Sequence, residues 1–484
     1  MEKSTHSTSA ISREQSRVAV SIVRLIVTSL LLIALVYVTL PRSVRTETAS
    51  QPSYRTATFS AGTDPSAAKI GDLDGDGLND IAVVNTSGNL QLFFNNGAGS
   101  FDRVSLNGLW PANSRILDVD IGDLNNDGRN DIAVASSTQT GAISILLNQG
   151  HRAFAPPVNY DTCISSNGVV IGDLDRDGSN DMADISQCSK AAVLLNNGQG
   201  AFTRSGQYGD GRGSRSVRLG DFNRDGFNDI AYVNNGLYYV TVLINNRNGT
   251  FGAPSFYYAG DFPDDLTVGD FDGDGGLDIA IANAYYSEVF ILFNRGSGSF
   301  NAGYSELYGG DTPSRIASGD FNGDGLLDLA VTSSATGFVS VLINRGDYSF
   351  AGPFTVGVGQ NPVSVAVGKL DLDSLPDLVV VNQGSGSITV YFSSAGPPPP
   401  PPPPTPITLS VSTRTTRTAR LVDLRWSGAT GSSVDIFRNG SRIATVSNSG
   451  SYTDQFDKRA KGTFSYKVCV AGAQQCSNQP AISF

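Results

Sequence analysis

Short apolar runs, separated by turns rich in Gly, Asn and Asp, fill most of the chain after residue 45. Segments such as Asp80–Val84 alternate apolar and polar residues, which predicts β-strands rather than helices. One order recurs: an apolar stretch, an acidic loop, two further apolar runs, and a turn of the NNGAGSF type that ends in Phe. Four short strands per repeat of about 50 residues are typical of one propeller blade.

The acidic loop occurs seven times, with its first motif position at residues 72, 123, 173, 221, 270, 320 and 369. We therefore predict an all-β fold whose main domain, residues 51–395, is a seven-bladed β-propeller. The seventh repeat ends near Ser394 without a fourth strand, whereas Tyr54–Gly62 precedes the first motif without partners. We expect this early segment to supply the missing outer strand and close the ring, which removes exposed sheet edges.

Composition excludes some classes of function. The 484 residues include 45 acidic and 34 basic side chains, and the net charge of −11 argues against general nucleic-acid binding, which needs clustered Lys and Arg. Only two His are present, His6 and His151, so His-based catalysis has little material. No pairing of a nucleophile with a base is apparent, and we expect no catalytic activity.

The acidic loops have the pattern D-x-[DN]-x-D-G-x-x-D, which suits a metal site. Oxygen ligands at positions 1, 3, 5 and 9 converge if the backbone turns sharply, and Gly at position 6 permits that turn. Hard oxygen ligands in this number favour Ca²⁺ over Mg²⁺. The predicted ligands of six loops are Asp72, Asp74, Asp76 and Asp80; Asp123, Asn125, Asp127 and Asp131; Asp173, Asp175, Asp177 and Asp181; Asp221, Asn223, Asp225 and Asp229; Asp270, Asp272, Asp274 and Asp278; and Asp320, Asn322, Asp324 and Asp328.

Asp, Asn and Gly also form ordinary turns, so a single copy would not decide between a turn and a metal site. Six copies favour metal, because 21 of the 45 acids lie in these loops and would repel one another without a cation. The seventh copy has Lys369 at position 1 and Ser374 at position 6. We expect about six Ca²⁺ ions and a metal-free seventh loop, in which the Lys369 ammonium takes the charge role of the ion.

The repeated G-D-x-[DN]-x-D-G-x-x-D-[IL]-A strings resemble those of the FG-GAP/VCBS repeat family, whose relatives include the integrin α-subunit propeller. The resemblance covers about residues 51–395. It implies a seven-bladed propeller with Ca²⁺ in hairpin loops, but it does not imply integrin function.

The N-terminal segment reads as a membrane helix. Residues 1–17 are polar, residues 18–40 are apolar except for Arg24 and a few hydroxyl residues, and residues 41–50 read as a linker. The basic residues before the apolar segment favour a single-pass anchor with the N-terminus in the cytoplasm and the remainder outside. The alternative is a signal peptide that is cleaved, which leaves a secreted protein.

The C-terminal part reads as a second domain. Residues 396–406 form a polyproline linker, and residues 407–484 show short alternating strands that suit a small β-sandwich. This region resembles a fibronectin type III module, with Trp426 as the core Trp and Tyr466 as the corner tyrosine. Four Cys in an exported chain favour two disulfides, Cys163–Cys188 and Cys469–Cys476, over free thiols.

Candidate ligand-binding residues are aromatic. If the acidic loops occupy one end of the propeller, the opposite end, here called the top face, is open for a ligand. Tyr238, Tyr258, Tyr285, Tyr286 and Trp110 are predicted there, where they would bind protein or glycan, although packing between blades is the competing interpretation. The sequence therefore predicts a calcium-binding adhesion or ligand-binding module. The alternative is a carbohydrate-binding or carbohydrate-active propeller of lyase or hydrolase type. The ligand and the oligomeric state are not predicted.

Overall fold

The structure is a computed structural model that divides into two compact units, Met1–Pro397 and Pro398–Phe484. It describes residues 53–97, 99–111, 114–137, 142–162, 165–186, 190–210, 213–285, 287–302, 307–394, 407–429, 433–471 and 476–484. The predicted segments 1–17, 18–40, 41–50 and 396–406, the pair Cys163 and Cys188, and Tyr286 lie outside these residues. Among the described residues, no helix has the length and apolar character needed to cross a membrane.

The first unit consists of β-strands and one 3-10 turn, Gln383–Ser385, within the described residues. Its strands are β1 (Ser53–Ser60), β2 (Pro65–Gly71), β3 (Asp80–Asn85), β4 (Asn89–Asn95), β5 (Phe101–Leu106), β6 (Arg115–Gly122), β7 (Asp131–Ser137), β8 (Ala142–Leu146), β9 (Asn148–Gly150), β10 (Ala153–Phe154), β11 (Val158–Asp161), β12 (Ser166–Gly172), β13 (Asp181–Ser186), β14 (Ala191–Asn196), β15 (Phe202–Tyr208), β16 (Ser214–Gly220), β17 (Asp229–Asn234), β18 (Tyr239–Leu243), β19 (Ser255–Tyr258), β20 (Pro263–Gly269), β21 (Asp278–Asn283), β22 (Glu288–Asn294), β23 (Phe300–Ala302), β24 (Leu307–Tyr308), β25 (Pro313–Gly319), β26 (Asp328–Ser333), β27 (Phe338–Asn344), β28 (Phe350–Gly357), β29 (Pro362–Gly368), β30 (Asp377–Asn382) and β31 (Ser387–Ser394).

These strands form antiparallel sheets whose strands follow chain order from the inside outward. The sheets are β2–β5, β6–β7–β8–β11, β12–β15, β16–β19, β20–β23 with β24, β25–β28, and β29–β30–β31–β1. They are called sheets one to seven below. A small hairpin, β9–β10, lies between β8 and β11 in the chain. The acidic loop joins the first and second strands of every sheet, as the repeat predicts.

The middle strands of each sheet are buried on both faces because neighbouring sheets pack against them. All six residues of β3, DIAVVN, are buried, and so are all six of its counterpart β17. The outer strand β5 instead consists of exposed and half-buried residues, and none of its six residues is buried. A strand that is covered on both faces reads as a continuous apolar run, which explains the sequence pattern of the repeats.

The inner strands contact one another in cyclic order, from β2 through β6, β12, β16, β20, β25 and β29 and back to β2. The last sheet is completed by β1, which pairs with β31 from Ser53 opposite Ser394 to Ser60 opposite Ser387. The prediction that the early segment supplies the outermost strand is confirmed. This pairing joins the two ends of the repeat array.

The second unit has two sheets. Its strands are β32 (Thr408–Thr415), β33 (Ala419–Ser427), β34 (Ser433–Arg438), β35 (Ser441–Ser447), β36 (Ser451–Asp457), β37 (Thr463–Val470) and β38 (Ala481–Ser483), in the orders β32–β33–β36 and β35–β34–β37–β38. Trp426 and Tyr466 are buried in its core, and the Tyr466 hydroxyl donates to Asp454 Oδ2 at 2.8 Å. The predicted disulfide Cys469–Cys476 is present.

Candidate metal centres and the top face

The first position of each of the six intact loops holds the turn together. Its carboxylate Oδ2 accepts the backbone N–H of the position 6 Gly, at 2.7 Å for Asp221 and 3.1 Å for Asp173. The other four loops have the same bond. All six of these Gly have a φ of 80° to 88°, a left-handed conformation that a residue with a Cβ adopts only with strain. The sequence places Gly where the backbone requires it.

Positions 3 and 5 are arranged in the same way in loops with Asp and loops with Asn. Asp272 Oδ1 accepts the N–H of Asp274 at 3.0 Å, and Asn322 Oδ1 accepts that of Asp324 at the same distance. The position 5 carboxylate in turn accepts the N–H of position 7, as in the bond from Leu326 to Asp324 Oδ1 at 2.9 Å. The second oxygen of the position 5 carboxylate can have a partner of its own, as Asp324 Oδ2 does when it accepts the side-chain N–H of Asn322 at 3.0 Å.

Three loops bring the carboxylates of positions 1, 3 and 9 close enough to hold one ion. These groups are Asp72, Asp74 and Asp80; Asp173, Asp175 and Asp181; and Asp270, Asp272 and Asp278, and within each group one carboxylate oxygen per residue lies within 4.8 Å of the others. They are the three loops with Asp at position 3. Ca²⁺ prefers several carboxylate oxygens that converge on one point, so these residues fit the predicted ion.

The position 9 carboxylate has a second, structural role. Asp80 is fully buried, and its Oδ2 accepts the Leu73 N–H at 2.7 Å while Oδ1 accepts the Asn95 N–H at 2.8 Å. Burial outweighs these donors and raises the pKa of Asp80 to about 6, that of Asp278 to about 7 and that of Asp328 to about 8. A buried carboxylate that resists ionisation is stabilised in its charged form by a nearby cation.

Arginine side chains reach four of the predicted ligands. Asp74 pairs with Arg152 at 2.8 Å, Asp225 with Arg247 at 3.0 Å and Asp274 with Arg224 at 3.0 Å, and Asp127 pairs with Arg129. Most of these guanidinium groups are well exposed, so their ion pairs contribute little. The sequence motif did not show these contacts, because three of the four arginines lie outside the loop that they contact.

The seventh loop departs from the other six. Asp371 Oδ1 still accepts the N–H of Asp373, and Asp377 still accepts the N–H groups of Leu370 and Ser393. However, Leu372 at position 4 and Ser374 at position 6 are not left-handed, whereas both positions are left-handed in the other six loops, so the sharp turn is missing. The prediction that the Lys369 ammonium takes the place of the ion is wrong, because Lys369 is exposed and forms no ion pair with any described residue. A long, well-hydrated side chain at position 1 points to solvent instead.

The loops of neighbouring sheets are tied to one another by Asn side chains that the motif analysis did not single out. Asn130 Nδ2 donates to the Asp72 carbonyl at 2.9 Å, and Asn79 Nδ2 donates to the Lys369 carbonyl at 3.0 Å, which links the first loop to the seventh. An Asn at or just after the end of the third strand adds a second link, as in the 2.8 Å bond from Asn148 Nδ2 to the Leu73 carbonyl. In the sequence, the first Asn of the recurring NNG-type turn is the feature from which this second link could have been predicted.

Of the described aromatic residues that were predicted on the top face, three are exposed and one is buried. Tyr238, Tyr258 and Tyr285 have exposed fractions of 41%, 60% and 65%. They lie in or beside connections at the end of the sheets away from the acidic loops. Trp110 was wrongly placed there: it is buried, and its indole N–H donates to Ser144 Oγ at 2.8 Å, because it fills the core between the first and second sheets.

Three exposed rings form one contiguous group. Phe262 lies 5.3 Å from Tyr238 and 5.6 Å from Tyr285, measured between ring centroids. Together with the exposed Tyr258, whose ring lies 6.0 Å from that of Phe290, these three residues are called the aromatic surface. Tyr308 at the end of β24 and Phe338 at the start of β27 are also exposed. The sequence analysis did not predict them because they do not occur in Tyr pairs.

Four-stranded antiparallel sheets, arranged with inner strands in cyclic contact and one acidic loop per sheet, define a β-propeller built from acidic-loop repeats. The model of the FG-GAP-like repeat family matches residues 72–134, 123–183, 221–281, 270–331 and 320–380. These matches cover more than half of the chain, and the chain belongs to this family.

Two solved structures support the same fold. The chain is similar to BBS1N in a crystal structure of its complex with ARL6DN soaked with lead (TM-score 0.51, 13% identity), and to the same complex soaked with mercury (TM-score 0.53, 11% identity); each match covers 72% of this chain and 98% of the other. Saccharomyces cerevisiae Sqt1 matches with a TM-score of 0.49 at 11% identity, covering 72% of this chain and 100% of the other. A search of the curated proteins by sequence found no match.

The departure of the seventh loop gives a testable prediction. Changing Lys369→Asp, Leu372→Gly and Ser374→Gly together is expected to add one bound Ca²⁺ per chain, because it restores the position 1 carboxylate and both left-handed positions. The number of ions per chain is measured by calorimetric titration. Lys369→Asp alone is the control and is expected to add none, since it leaves the backbone unable to turn. An unchanged count in the triple variant would contradict the role given to these positions.

Proposed function

We propose that the first unit is a closed seven-bladed propeller that holds about six Ca²⁺ ions and binds a protein or glycan ligand on its top face. It acts outside the cytoplasm as an adhesion or ligand-binding module without catalysis of its own, and residues 18–40 anchor it in the membrane. The observation that carries the ligand-binding role is the aromatic surface, which lies opposite the acidic loops. Calcium then stabilises the scaffold and leaves the other end free for recognition.

The aromatic surface is a suitable contact area because its rings are exposed while neighbouring rings pack in the core. Tyr258 and Tyr285 are the most exposed, at 60% and 65%, whereas the neighbouring Tyr257 packs on Phe300 with ring centroids 5.2 Å apart. One Tyr of the 257–258 pair thus belongs to the core and the other to the surface, as strand alternation requires. Exposed aromatic groups of this kind anchor protein partners or stack on sugars.

A protein ligand has one further line of support. The similar BBS1N structures are of a complex with ARL6DN, so a chain of this fold has been crystallised with a partner. For the present chain this supports a protein partner only as a class. The second candidate, a carbohydrate-binding or carbohydrate-active propeller, is favoured by the Phe262 and Tyr285 rings, whose planes are inclined by 39° and offer a broad apolar platform.

For the second unit we propose a fibronectin type III-like module. The three-stranded and four-stranded sheets have the strand order expected of such a sandwich, and the pair of Tyr466 and Asp454 ties β37 to β36. Trp426 in the core is consistent with this assignment.

Removing two rings tests the ligand-binding role. The Tyr258→Ala and Tyr285→Ala double variant is expected to lower the amount of ligand captured from the native membrane fraction, or the signal on a glycan array, by about tenfold or more, because buried aromatic anchors dominate interfaces. The matched control is Tyr348→Ala with Leu372→Ala, two exposed apolar residues at the acidic-loop end. Equal binding by both double variants would contradict the role of the aromatic surface. A signal on the glycan array would favour the carbohydrate-binding alternative.

A further inference from the structure

A polar cavity lies at the top end of the space that the inner strands enclose. Its volume is about 850 Å³, within the range of about 300–1,000 Å³ that is usual for ligand sites. Hydroxyl and amide side chains contribute to its wall, among them Thr86, Ser137 and Gln383. Arg115, Arg215 and Arg315 also line it, and no carboxylate does so among the described residues. This lining is unexpected in a chain with a net charge of −11.

The three arginines occupy related places in the repeat. Arg115 begins β6, Arg215 is the second residue of β16 and Arg315 is the third residue of β25, so they lie at the top ends of the inner strands of the second, fourth and sixth sheets. They are spaced by 100 residues, or two repeats, along the chain. The cyclic contacts of the inner strands therefore distribute them around one opening.

The positive charge at this opening is only partly balanced. The Asp264 carboxylate lies between two of the guanidinium groups, with Oδ1 at 2.7 Å from Arg215 Nη1 and Oδ2 at 3.3 Å from Arg315 Nη1. Arg115 is exposed and forms no ion pair with a described residue. Arg315 also interacts with Asp265 and Asp118. Arg115 is therefore the guanidinium group at this opening that has no carboxylate partner among the described residues.

Deeper in the enclosed space most of the charged side chains form ion pairs. Lys69 pairs with Asp120 at 2.8 Å, and Arg218 pairs with Asp265 at 3.3 Å. Asp118 lies in the same region without an ion pair within the described residues, and burial raises its pKa to about 6. An anion therefore meets the unpaired Arg115 at the mouth of the cavity, whereas the cationic groups Lys69 and Arg218 in its depth already have carboxylate partners.

We propose that this cavity binds a hydroxylated ligand that carries a carboxylate, either the end of an acidic glycan or a free hydroxy acid. Guanidinium groups present a planar fork that matches a carboxylate, and Asp264 shows that two of these arginines already hold one. The Arg115 guanidinium, which has no ion-pair partner among the described residues, matches a ligand carboxylate, and the hydroxyl and amide groups of the wall match ligand hydroxyls. The inference rests on the proposed ligand-binding role and assigns it a chemical class of ligand.

Calorimetric titration of the calcium-loaded full chain tests the proposal with two probes, digalacturonate and galactarate. Binding is expected for at least one of them, with an affinity that falls as salt is raised. Binding of digalacturonate alone assigns the site to an acidic glycan, and binding of galactarate alone assigns it to a free hydroxy acid. No binding of either probe, or tighter binding of sulfate than of both, would overturn the proposal.

The Arg115→Gln variant is expected to weaken binding by about tenfold or more, because it removes an unpaired guanidinium. Arg345→Gln is the matched control: it removes the same charge from an exposed arginine at the acidic-loop end and is expected to leave binding unchanged. Equal weakening by both variants would show a general effect of charge and would overturn the site. Melting temperatures of both variants establish that each is folded.

The two failures are distinguishable. If the chain captures a ligand through its aromatic surface and neither acidic probe binds, the cavity proposal is wrong and the proposed function stands. If digalacturonate binds in an Arg115-dependent way and the aromatic double variant captures ligand as well as the wild type, the cavity proposal stands and the role of the aromatic surface is wrong.

Discussion

Removal of calcium is expected to lower the melting temperature of the first unit by about 10 °C or more. An ion that binds only the native state adds about 2.7 kcal/mol when its free concentration is 100 times the dissociation constant. Because 1 kcal/mol moves the melting temperature of a domain of about 150–250 residues by about 2–4 °C, several ions together give a large shift. The sign of the shift follows from the charges of the loops.

Without a cation, the acidic loops hold like charges at short range. Asp72 and Asp74 both contribute to raising the pKa of Asp80, although burial is the main cause. The same combination acts in the fifth loop, where the pKa of Asp278 rises to about 7. A divalent ion replaces this repulsion by attraction, and it does so only in the folded loop, where the backbone brings the carboxylates together.

Differential scanning calorimetry with excess Ca²⁺ and with EGTA measures the shift, and Mg²⁺ serves as a comparison for ion selectivity. The unfolding transition of the second unit is an internal control, because its sequence contains no loop of this pattern. Identical melting curves in calcium and in EGTA would contradict the assignment of the acidic loops as calcium sites.

The regular features of this fold could be predicted from the sequence because they repeat. The acidic loop marks the junction between first and second strands in every sheet, and counting strands around the repeat was enough to predict that β1 would pair with β31. Regularity of spacing therefore predicted connectivity as well as local structure.

Single residues outside the repeat could not be predicted in the same way. Trp110 has no equivalent in the other repeats, and only the packing of the first sheet on the second shows that it is buried against Ser144. The three arginines of the top cavity lie on different sheets and approach one opening only when the ring closes. The position of the Lys369 ammonium was predicted wrongly, because a cationic side chain at a ligand position does not by itself occupy the place of the ion.

The structural role of position 9 leads to the second large effect. Asp377 belongs to the seventh loop, which lacks the position 1 carboxylate, yet it is fully buried and accepts the Leu370 N–H at 2.7 Å and the Ser393 N–H at 2.8 Å. Asp377→Ala would leave both N–H groups buried without these partners. We expect the free energy of unfolding to fall by about 3 kcal/mol.

The dependence on calcium separates this role from metal binding. The cost of Asp377→Ala is expected to be the same in Ca²⁺ and in EGTA, because we predict that its loop binds no ion. Asp72→Ala removes a carboxylate that is half exposed and is expected to be costly in Ca²⁺ but nearly neutral in EGTA, since water replaces its bonds to Gly75 and Gly77.

Urea unfolding under both conditions measures these four values, with Lys369→Ala as a control that changes the stability by no more than about 0.5 kcal/mol. If the cost of Asp377→Ala were smaller in EGTA than in Ca²⁺, the seventh loop would bind calcium after all. The division of the motif into a structural position 9 and a metal-binding position 1 would then be wrong, because both positions would act through the ion.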